Sequence, residues 1–251
     1  MKDRRRGSGL VIKDGSTSTF LENTNGSNGL AFDSRGRLIS AQANGVGILY
    51  PKGSEKMLAA DSCEGSRFGR INDVVVDKKG GVYFTDPVGF GPDAPKNIIP
   101  ALYYVTPTGK CMKVADGINR PNGVQLSTNE KILYVNDTAG EYVLAFDIQP
   151  DGTLKNRRNF AKLQGVQKTD TGVNSGADGL AVDSKDRVYV CTSTGVQVFS
   201  PKGEPLGTIP LSRAPQNLAF GGPDKKTLYV VGRGAAYKIQ MLAQGFKGRV
   251  K

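Results

Sequence analysis

The chain has 251 residues, of which 38% are hydrophobic and 23% are charged, enough for one sizeable core in a single domain. Lysine and arginine together number 34 against 23 aspartates and glutamates, so the net charge of +11 predicts a surface that attracts anionic solutes. The sequence contains no histidine, which excludes Ser-His-Asp and Cys-His catalysis and every histidine-ligated metal. Any chemistry must use carboxylates, amides, lysine, arginine or a hard metal ion.

Residues 1–8 form a basic N-terminal stretch that contains the cluster Lys2–Arg6. Because no aromatic-rich basic stripe accompanies the cluster, we interpret it as a disordered tail and expect no specific nucleic-acid partner and no membrane partner. No apolar run reaches membrane-spanning length, and no signal-peptide core follows Met1. We therefore expect a cytoplasmic monomer, or a periplasmic or secreted protein if the true start lies upstream.

A β-hairpin is predicted after this tail, with strands Leu10–Lys13 and Thr17–Leu21 around the turn Asp14-Gly15. Five repeats follow, each with a polar head, an apolar alternation, a turn and a second apolar run. The heads are Asn28, Asn72, Asn122, Asp178 and Gln216. Strand-like repeats with a period near 40 to 50 residues predict an all-β fold, a β-propeller of four-stranded antiparallel blades. We assign this single domain to residues 9–241 and a C-terminal tail to residues 242–251.

Period-two alternation and turn residues predict four strands in each of the second, third and fourth repeats. These predicted strands are 73–77, 81–85, 101–106 and 111–115; 124–127, 132–136, 142–148 and 154–163; and 180–183, 188–192, 195–199 and 205–211. The last repeat ends with its third strand, Ala235–Met241. Because an unpaired edge strand is a liability, we expect an N-terminal strand to complete this blade and close a ring of five blades; the alternative is a six-bladed ring that survives with a gap.

In a propeller, the loop that enters each blade and the loop after its second strand lie at the same face. We therefore expect the five heads, the second-strand end Asp86 and two lid-like segments, Pro87–Pro100 and Gln164–Ala177, to surround the mouth of an axial channel. Amides and a carboxylate crowded near one axis need a cation or a polar ligand as partner. Oxygen donors select hard ions such as calcium, magnesium or manganese.

Two further sets of residues are interpreted as structural or inert. The turn aspartates within the repeats are predicted to be structural: Asp33, Asp77 and Asp183. Cys63, Cys111 and Cys191 fall at different points of the repeat and form no CxxC pair. This pattern argues against a zinc site or a disulfide framework and predicts reduced thiols.

Three pairs of segments carry the most specific motifs. They are Arg70-Ile-Asn72-Asp-Val-Val-Val-Asp with Tyr83-Phe-Thr-Asp-Pro87, Arg120-Pro-Asn122-Gly-Val with Leu133-Tyr-Val-Asn-Asp-Thr138, and Ala177-Asp178-Gly-Leu-Ala-Val-Asp183. Together they resemble the senescence-marker-protein (regucalcin) and gluconolactonase-like family of six-bladed propellers, from about Leu10 onward. The resemblance implies one divalent cation, usually calcium or zinc, held on the axis by one Glu, one Asn and one Asp. It also implies lactone hydrolysis as the commonest reaction.

The same resemblance implies roles for individual residues. Asn122 matches a metal ligand, and Asp178 matches a metal ligand that also serves as the general base. Asn72 and Arg70 match substrate contacts, and we expect Asp86 to form a polar wall of the pocket.

The family's glutamate has no counterpart here. It normally opens the first blade in a Glu-Gly-Pro head, whereas this chain begins at what resembles the third and fourth strands of that blade. Glu22 and Glu64 lie in loops that enter blades on the same face and are the candidates to replace it.

Two functional hypotheses follow. The first is a metal-dependent lactone hydrolase that uses calcium or zinc, or else magnesium or manganese, and acts on a small sugar-type lactone or an anionic metabolite. The second is a non-catalytic propeller, degenerate or truncated, that serves as a ligand-binding or interaction module.

Overall fold

The computed structural model describes residues 8–13, 15–88, 97–170 and 172–249, and all regular secondary structure in these ranges is β-strand. Among the described residues, no helix has the length and apolar character needed to cross a membrane. Five predicted features lie wholly or partly outside these ranges: residues 1–7 of the basic tail, the turn residue Asp14, residues 89–96 of the lid-like segment Pro87–Pro100, residue 171 of the lid-like segment Gln164–Ala177, and residues 250–251 of the C-terminal tail.

The strands form an N-terminal hairpin and five blades, which we number I to V. The hairpin consists of β1 (Ser8–Lys13) and β2 (Ser16–Glu22), and blade I of β3 (Leu30–Phe32), β4 (Leu38–Gln42), β5 (Gly45–Tyr50) and β6 (Lys56–Ala60). The short hairpin β7 (Ser62–Cys63) and β8 (Ser66–Arg67) leads to blade II, made of β9 (Val74–Val76), β10 (Val82–Asp86), β11 (Ala101–Val105) and β12 (Cys111–Asp116).

The remaining strands continue this order. Blade III consists of β13 (Pro121–Leu126), β14 (Ile132–Asp137), β15 (Tyr142–Ile148) and β16 (Leu154–Lys162). The hairpin β17 (Gln167–Thr169) and β18 (Gly172–Asn174) leads to blade IV, made of β19 (Leu180–Val182), β20 (Val188–Thr192), β21 (Gly195–Phe199) and β22 (Pro205–Ile209). Blade V has three strands, β23 (Asn217–Gly221), β24 (Thr227–Gly232) and β25 (Ala235–Gln240).

The strands of each blade are antiparallel and pair in chain order, which confirms the predicted β-propeller. In blades II to IV, their bounds differ from the predicted ones by a few residues at most. Turn aspartates close the connection between the first and second strands. The Asp77 carboxylate, for example, accepts hydrogen bonds from the backbone N–H groups of Lys79 and Gly81 at 2.8 Å each. Asp33 and Asp183 accept equivalent backbone bonds, so their predicted structural role is confirmed.

The N-terminal hairpin does not complete blade V, so that prediction is wrong. Among the described residues, β1 pairs with β2 alone, from Ser8 opposite Glu22 to Lys13 opposite Ser16. Two strands joined by a tight turn satisfy each other's backbone hydrogen bonds with little loss of chain entropy. Phe20 of β2 also packs on Tyr50 of blade I, with ring centroids 5.4 Å apart. The hairpin is therefore held against the first blade.

The arc of blades is interrupted between blade V and blade I. A cluster of buried apolar side chains fills each of the four interfaces from blade I to blade V. By contrast, β3 and β23 form no contact comparable to those between the other neighbouring inner strands. Leu30 and Phe32 on β3 are 40% and 38% exposed, and Tyr229 and Val231 on β24 are 42% and 44% exposed. The five blades thus form an open ring.

Consecutive inner strands approach each other closely just after their heads. A Cβ atom on Gly123 would overlap the carbonyl oxygen of Asp178, and one on Gly179 would overlap Asn217. Only glycine permits this approach of one backbone to the next. The spacing between the heads of blades III, IV and V is therefore set by backbone contact.

In blades II and III, one side chain of the second strand forms a hydrogen bond to the backbone of the following blade. The Thr85 hydroxyl of blade II donates to the carbonyl oxygen of Asn122 at 2.7 Å, and the Asn136 amide of blade III donates to the carbonyl oxygen of Asp178 at 2.5 Å. Both donors are buried, so the loss of either bond would leave a polar group without a partner. These bonds fix the backbone at two heads.

The C-terminal segment 242–249 runs beneath blades III, IV and V. Gly245 forms a β-bridge with Asp183 of blade IV. The Arg249 guanidinium, only 6% exposed, donates to the Gln125 side chain at 3.0 Å and to the Leu126 carbonyl oxygen at 2.6 Å, and it pairs with Glu130 at 3.2 Å. The segment ties these three blades together at the ends of their inner strands remote from the heads.

Cys63 and Cys111 form a disulfide, so the prediction of reduced thiols is wrong for this pair. The two residues are 48 positions apart, and they meet because the β7–β8 hairpin folds back onto β12, the outer strand of blade II. The sequence pattern does not encode this approach, which depends on tertiary packing. Cys191 remains a free, buried thiol.

We predict that replacing both Cys63 and Cys111 by serine lowers the free energy of unfolding by about 3 kcal/mol, because the bond restricts a long loop in the unfolded chain. Thermal unfolding measures the change. A reducing agent should lower the unfolding temperature of the parent chain to that of the variant and leave the variant unchanged. Three titratable thiols in the denatured, unreduced chain, instead of the single thiol of Cys191, would show that the bond does not form.

We predict that Gly123→Ala destabilises the fold by about 2 kcal/mol, because the added methyl group collides with the Asp178 carbonyl. Gly80→Ala is the matched control. Gly80 has a φ of +90° but open space around its Cα, so its substitution tests backbone strain alone, at about 1 kcal/mol. Equal losses in the two variants, measured by denaturant unfolding, would argue against the proposed close contact.

Candidate active site

All five heads line one cavity of about 410 Å³. The convergence predicted from the repeats is therefore present in the structure. Backbone bonds hold the heads where the inner strands begin: the N–H groups of Asn72, Asp178 and Gln216 donate to carbonyl oxygens of the second strands of their own blades, at 2.8 to 3.0 Å. Polar surface dominates the cavity wall, as expected for a site that binds a polar ligand.

Asp178 is the most strongly perturbed acid of this cavity. Burial is the larger cause and the nearby Asp73 carboxylate the next, and together they raise the pKa of Asp178 to about 7. Arg120, Arg233 and a hydrogen bond with Asn122 act in the opposite direction. A carboxyl group with a pKa near neutrality can exchange a proton with a reacting molecule, as a general base requires.

Asn122 presents a buried oxygen without a protein partner. Its amide nitrogen donates to the Thr138 hydroxyl at 3.0 Å, and Thr138 in turn donates to the Ala177 carbonyl oxygen at 2.6 Å. These bonds fix the amide, while its Oδ1 atom accepts no hydrogen bond within the described part of the chain. A buried oxygen of this kind calls for a cation or a ligand donor.

The Asn122 amide oxygen and the Asp178 carboxylate fit the oxygen ligands that a hard divalent cation prefers. Among the described residues, no group of three or more His, Cys, Asp or Glu side chains is arranged to hold a metal. Glu22 and Glu64 do not line the cavity, and the Glu64 carboxylate accepts a bond from the Lys113 backbone N–H at 3.2 Å instead. Of the four candidate ligands from the sequence, Asn122 and Asp178 line the cavity, so water, substrate or other groups would have to complete the coordination shell of any cation held there.

Arg70 and Asn72 both line the cavity, as expected. Asp86 does not: it is fully buried, and its carboxylate accepts the backbone N–H groups of Gly69, Arg70 and Val88 at 2.7 to 2.9 Å. Asp86 is thus a positioning residue for Arg70, one layer behind the wall where we expected it. The same sequence signature fits both roles, because the direction of a side chain at a strand end is set by the loop that packs on it.

Five further residues with polar side chains line the cavity without having been predicted from the sequence: Asp73, Arg120, Thr138, Asn217 and Arg233. A signal existed for Arg120, since Arg120-Pro-Asn122 repeats the spacing of Arg70-Ile-Asn72 one blade later. The Asp137 carboxylate accepts a hydrogen bond from the Arg120 backbone N–H at 2.9 Å, and Asp86 accepts the equivalent bond from Arg70. Arg233 follows the second strand of blade V, and no motif in its surroundings indicates a site.

The predicted lid-like segment Gln164–Ala177 contributes to the cavity through Asn174, Gly176 and Ala177. It contains the hairpin β17–β18, whose last residue, Asn174, accepts the Gly176 backbone N–H at 2.9 Å through its side chain. The segment therefore forms part of the wall next to Asp178.

The sequence model of the protein family described as SMP-30/gluconolactonase/LRE-like region matches residues 9–233 of this chain. The chain belongs to this family. Among curated members, the gluconolactonase of Zymomonas mobilis is 30% identical over 196 residues, which cover 73% of this chain and 54% of the relative. The chain spans about half the length of the curated relatives it matches.

Solved structures of the family agree with the fold. A gluconolactonase from Xanthomonas campestris superposes with a TM-score of 0.77 at 27% identity, covering 90% of this chain and 76% of the other. The calcium-binding protein regucalcin from Agrobacterium tumefaciens superposes with a TM-score of 0.75 at 17% identity, covering 96% and 84%. At that identity, the second comparison supports the fold alone.

We predict that Asp178→Asn stabilises the chelator-treated protein at neutral and alkaline pH. The pKa of Asp178 is raised from its usual 3.8 to about 7 in the folded state. The protonated Asp178 carboxyl therefore makes its full contribution to the free energy of unfolding below about pH 4, and this contribution is lost as the pH rises through about 7. Asparagine keeps the neutral form at every pH. The variant should gain about 2 kcal/mol over the parent above neutrality, and almost nothing near pH 4.

Thermal unfolding of parent and variant across this pH range measures the difference. A difference that stays constant with pH would show that the carboxyl group does not titrate as described.

Proposed function

We propose that this protein is a lactone hydrolase that opens a small sugar-type lactone. The observation that carries the proposal is the meeting of the Asp178 carboxyl, with its raised pKa, and the unpartnered Asn122 oxygen in one polar cavity. Membership in a family that includes the Zymomonas mobilis gluconolactonase supports the reaction class.

In this proposal, Asp178, Arg70 and Asn72 have different roles in hydrolysis. Asp178 accepts the proton of the attacking water, since its pKa of about 7 suits a general base near neutral pH. Arg70, held by Asp86 through its backbone, stabilises the negative charge that develops on the lactone carbonyl oxygen. Asn72 donates to or accepts from a substrate hydroxyl and so orients the ring.

Asn122 and Asp178 are the residues that would hold a divalent cation, either calcium or zinc, or else magnesium or manganese. When bound, such an ion supplies Lewis-acid polarisation of an oxygen in the site. Because this proposal takes two ligands from the described residues, we expect weak binding and activity that depends on the concentration of added ion.

The substrate in this proposal is a small molecule that diffuses into the cavity of a monomeric domain spanning residues 9–241. The Cys63–Cys111 disulfide favours an oxidising compartment over the cytoplasm, because cytoplasmic thiols are kept reduced.

A second candidate is a non-catalytic propeller that binds a polar ligand in the same cavity. One observation favours it: the described cavity wall offers no glutamate in the role that the family resemblance implies. The experiment below separates the two candidates.

We predict that the protein hydrolyses gluconolactone, that a chelator abolishes the activity, and that added calcium, zinc, magnesium or manganese restores it. Asp178→Asn should lower kcat/KM by about a hundredfold or more through loss of the base. Glu22→Gln is the matched control, since Glu22 lies outside the cavity wall and should leave the rate unchanged.

Hydrolysis is followed by acid release in weakly buffered solution, with folding of each variant checked by circular dichroism. If the folded parent opens no lactone with any of the four ions, the hydrolase proposal fails. Binding of a sugar acid to the same folded protein, without turnover, would then favour the non-catalytic candidate.

A further inference from the structure

Three arginine side chains line the candidate active-site cavity: Arg70 from blade II, Arg120 from blade III and Arg233 from blade V. Arg70 and Arg233 are exposed at its mouth, and Arg120 is partly buried. The proposed function uses one of them, Arg70, at the reacting carbonyl. Two guanidinium groups therefore lie around the cavity without a role in the hydrolysis itself.

Each of these arginines is held by a specific backbone contact. The Arg120 N–H donates to the buried Asp137 carboxylate at 2.9 Å, and the Arg233 N–H donates to the side-chain oxygen of the head Gln216 at 3.0 Å. Arg233 also adopts a φ of 51°, a conformation that a non-glycine residue rarely takes. A solvated surface arginine requires neither anchor, so the two positions have the character of a built site.

Positive charge exceeds negative charge on the cavity wall, with three arginines against Asp73 and Asp178. Both oxygens of the Asp73 carboxylate accept backbone N–H groups, from Val74 at 2.9 Å and from Val124 at 3.0 Å. The Asp73 carboxylate therefore also joins blade II to blade III through its bond with Val124.

We propose that Arg120 and Arg233 select lactones that carry a second, anionic group, a carboxylate or a phosphate. This inference rests on the proposed lactone hydrolase function. A guanidinium group binds either anion through paired N–H donors, and Arg120 and Arg233 line the same cavity as Asp178. Asp178 and Arg120 are partly buried and Arg233 is exposed, so an anionic group held by both arginines would have Arg233 on its solvent side.

The alternative role for these arginines is purely electrostatic support of Asp178, with which both interact. The two roles predict different kinetics. Support of Asp178 affects every substrate alike, whereas recognition of an anion affects only the substrates that carry one. The ratio of kcat/KM for a charged and a neutral lactone therefore distinguishes them.

The experiment compares gluconolactone with its 6-phosphate ester and with a monolactone of glucaric acid, using the metal-supplemented full chain. The parent should prefer at least one charged lactone by about tenfold or more in kcat/KM. Arg233→Gln and Arg120→Gln should each reduce that preference by about tenfold, whereas the exposed Arg35→Gln, remote from the cavity, should keep it. Added salt should weaken the preference, because Arg233 is exposed.

Binding of the open-chain acids in the presence of chelator gives a readout that does not depend on turnover. Calorimetry should show that 6-phosphogluconate or glucarate binds more tightly than gluconate, and that Arg233→Gln removes the difference. If no lactone is hydrolysed but this selectivity appears, the charge inference stands and the hydrolase proposal fails. If lactones are hydrolysed and neither assay shows a preference, or if both arginine variants lower all rates equally, the inference is overturned.

Discussion

The close approach of neighbouring inner strands at their glycines is the constraint on which the rest of the structure depends. At Gly123 and Gly179, one backbone lies against the next without room for a side chain. This contact, reinforced by the bond from Asn136 to the Asp178 carbonyl, fixes the separation of Asn122 and Asp178. The polar heads meet because the strands behind them are pressed together by apolar packing between the blades.

This convergence also brings an acid into surroundings that disfavour its charge. The raised pKa of Asp178 means that the folded chain is less stable with this carboxylate ionised than it would be with a neutral side chain. Such a residue persists where chemistry requires it, and the fold offsets its effect through well-packed interfaces elsewhere. Asp86 and Asp137 have the opposite character. Their carboxylates accept hydrogen bonds from backbone N–H groups, including those of Arg70 and Arg120, and so help to position these two arginines.

Sequence reasoning predicted the elements that local chemistry determines. Alternation and turn residues located the strands of blades II to IV, and the repeat placed the five heads around one cavity. It failed where the outcome depends on which distant segments meet. The pairing of Cys63 with Cys111 requires the β7–β8 hairpin to fold onto blade II, and the N-terminal hairpin could satisfy its hydrogen bonds in more than one place. Arg233 lines the cavity from the loop after the second strand of blade V, a placement that no local motif indicates.

The break between blade V and blade I has a mechanical consequence. A closed ring fixes its own circumference, whereas in this open ring the inner strands of blades I and V, β3 and β23, lack the contact that joins every other pair of neighbouring inner strands, so the distance between the two end blades is less restrained. Asn122 and Asp178 belong to blades III and IV, which are packed on both sides and contacted by the C-terminal segment through Arg249 and Gly245 respectively. Arg233 and Gln216 belong to the terminal blade. Asn122, Asp178 and Arg120 thus lie in the well-packed middle of the arc, whereas Arg233, the other arginine proposed to recognise the substrate, lies on an end blade whose distance from blade I is less restrained.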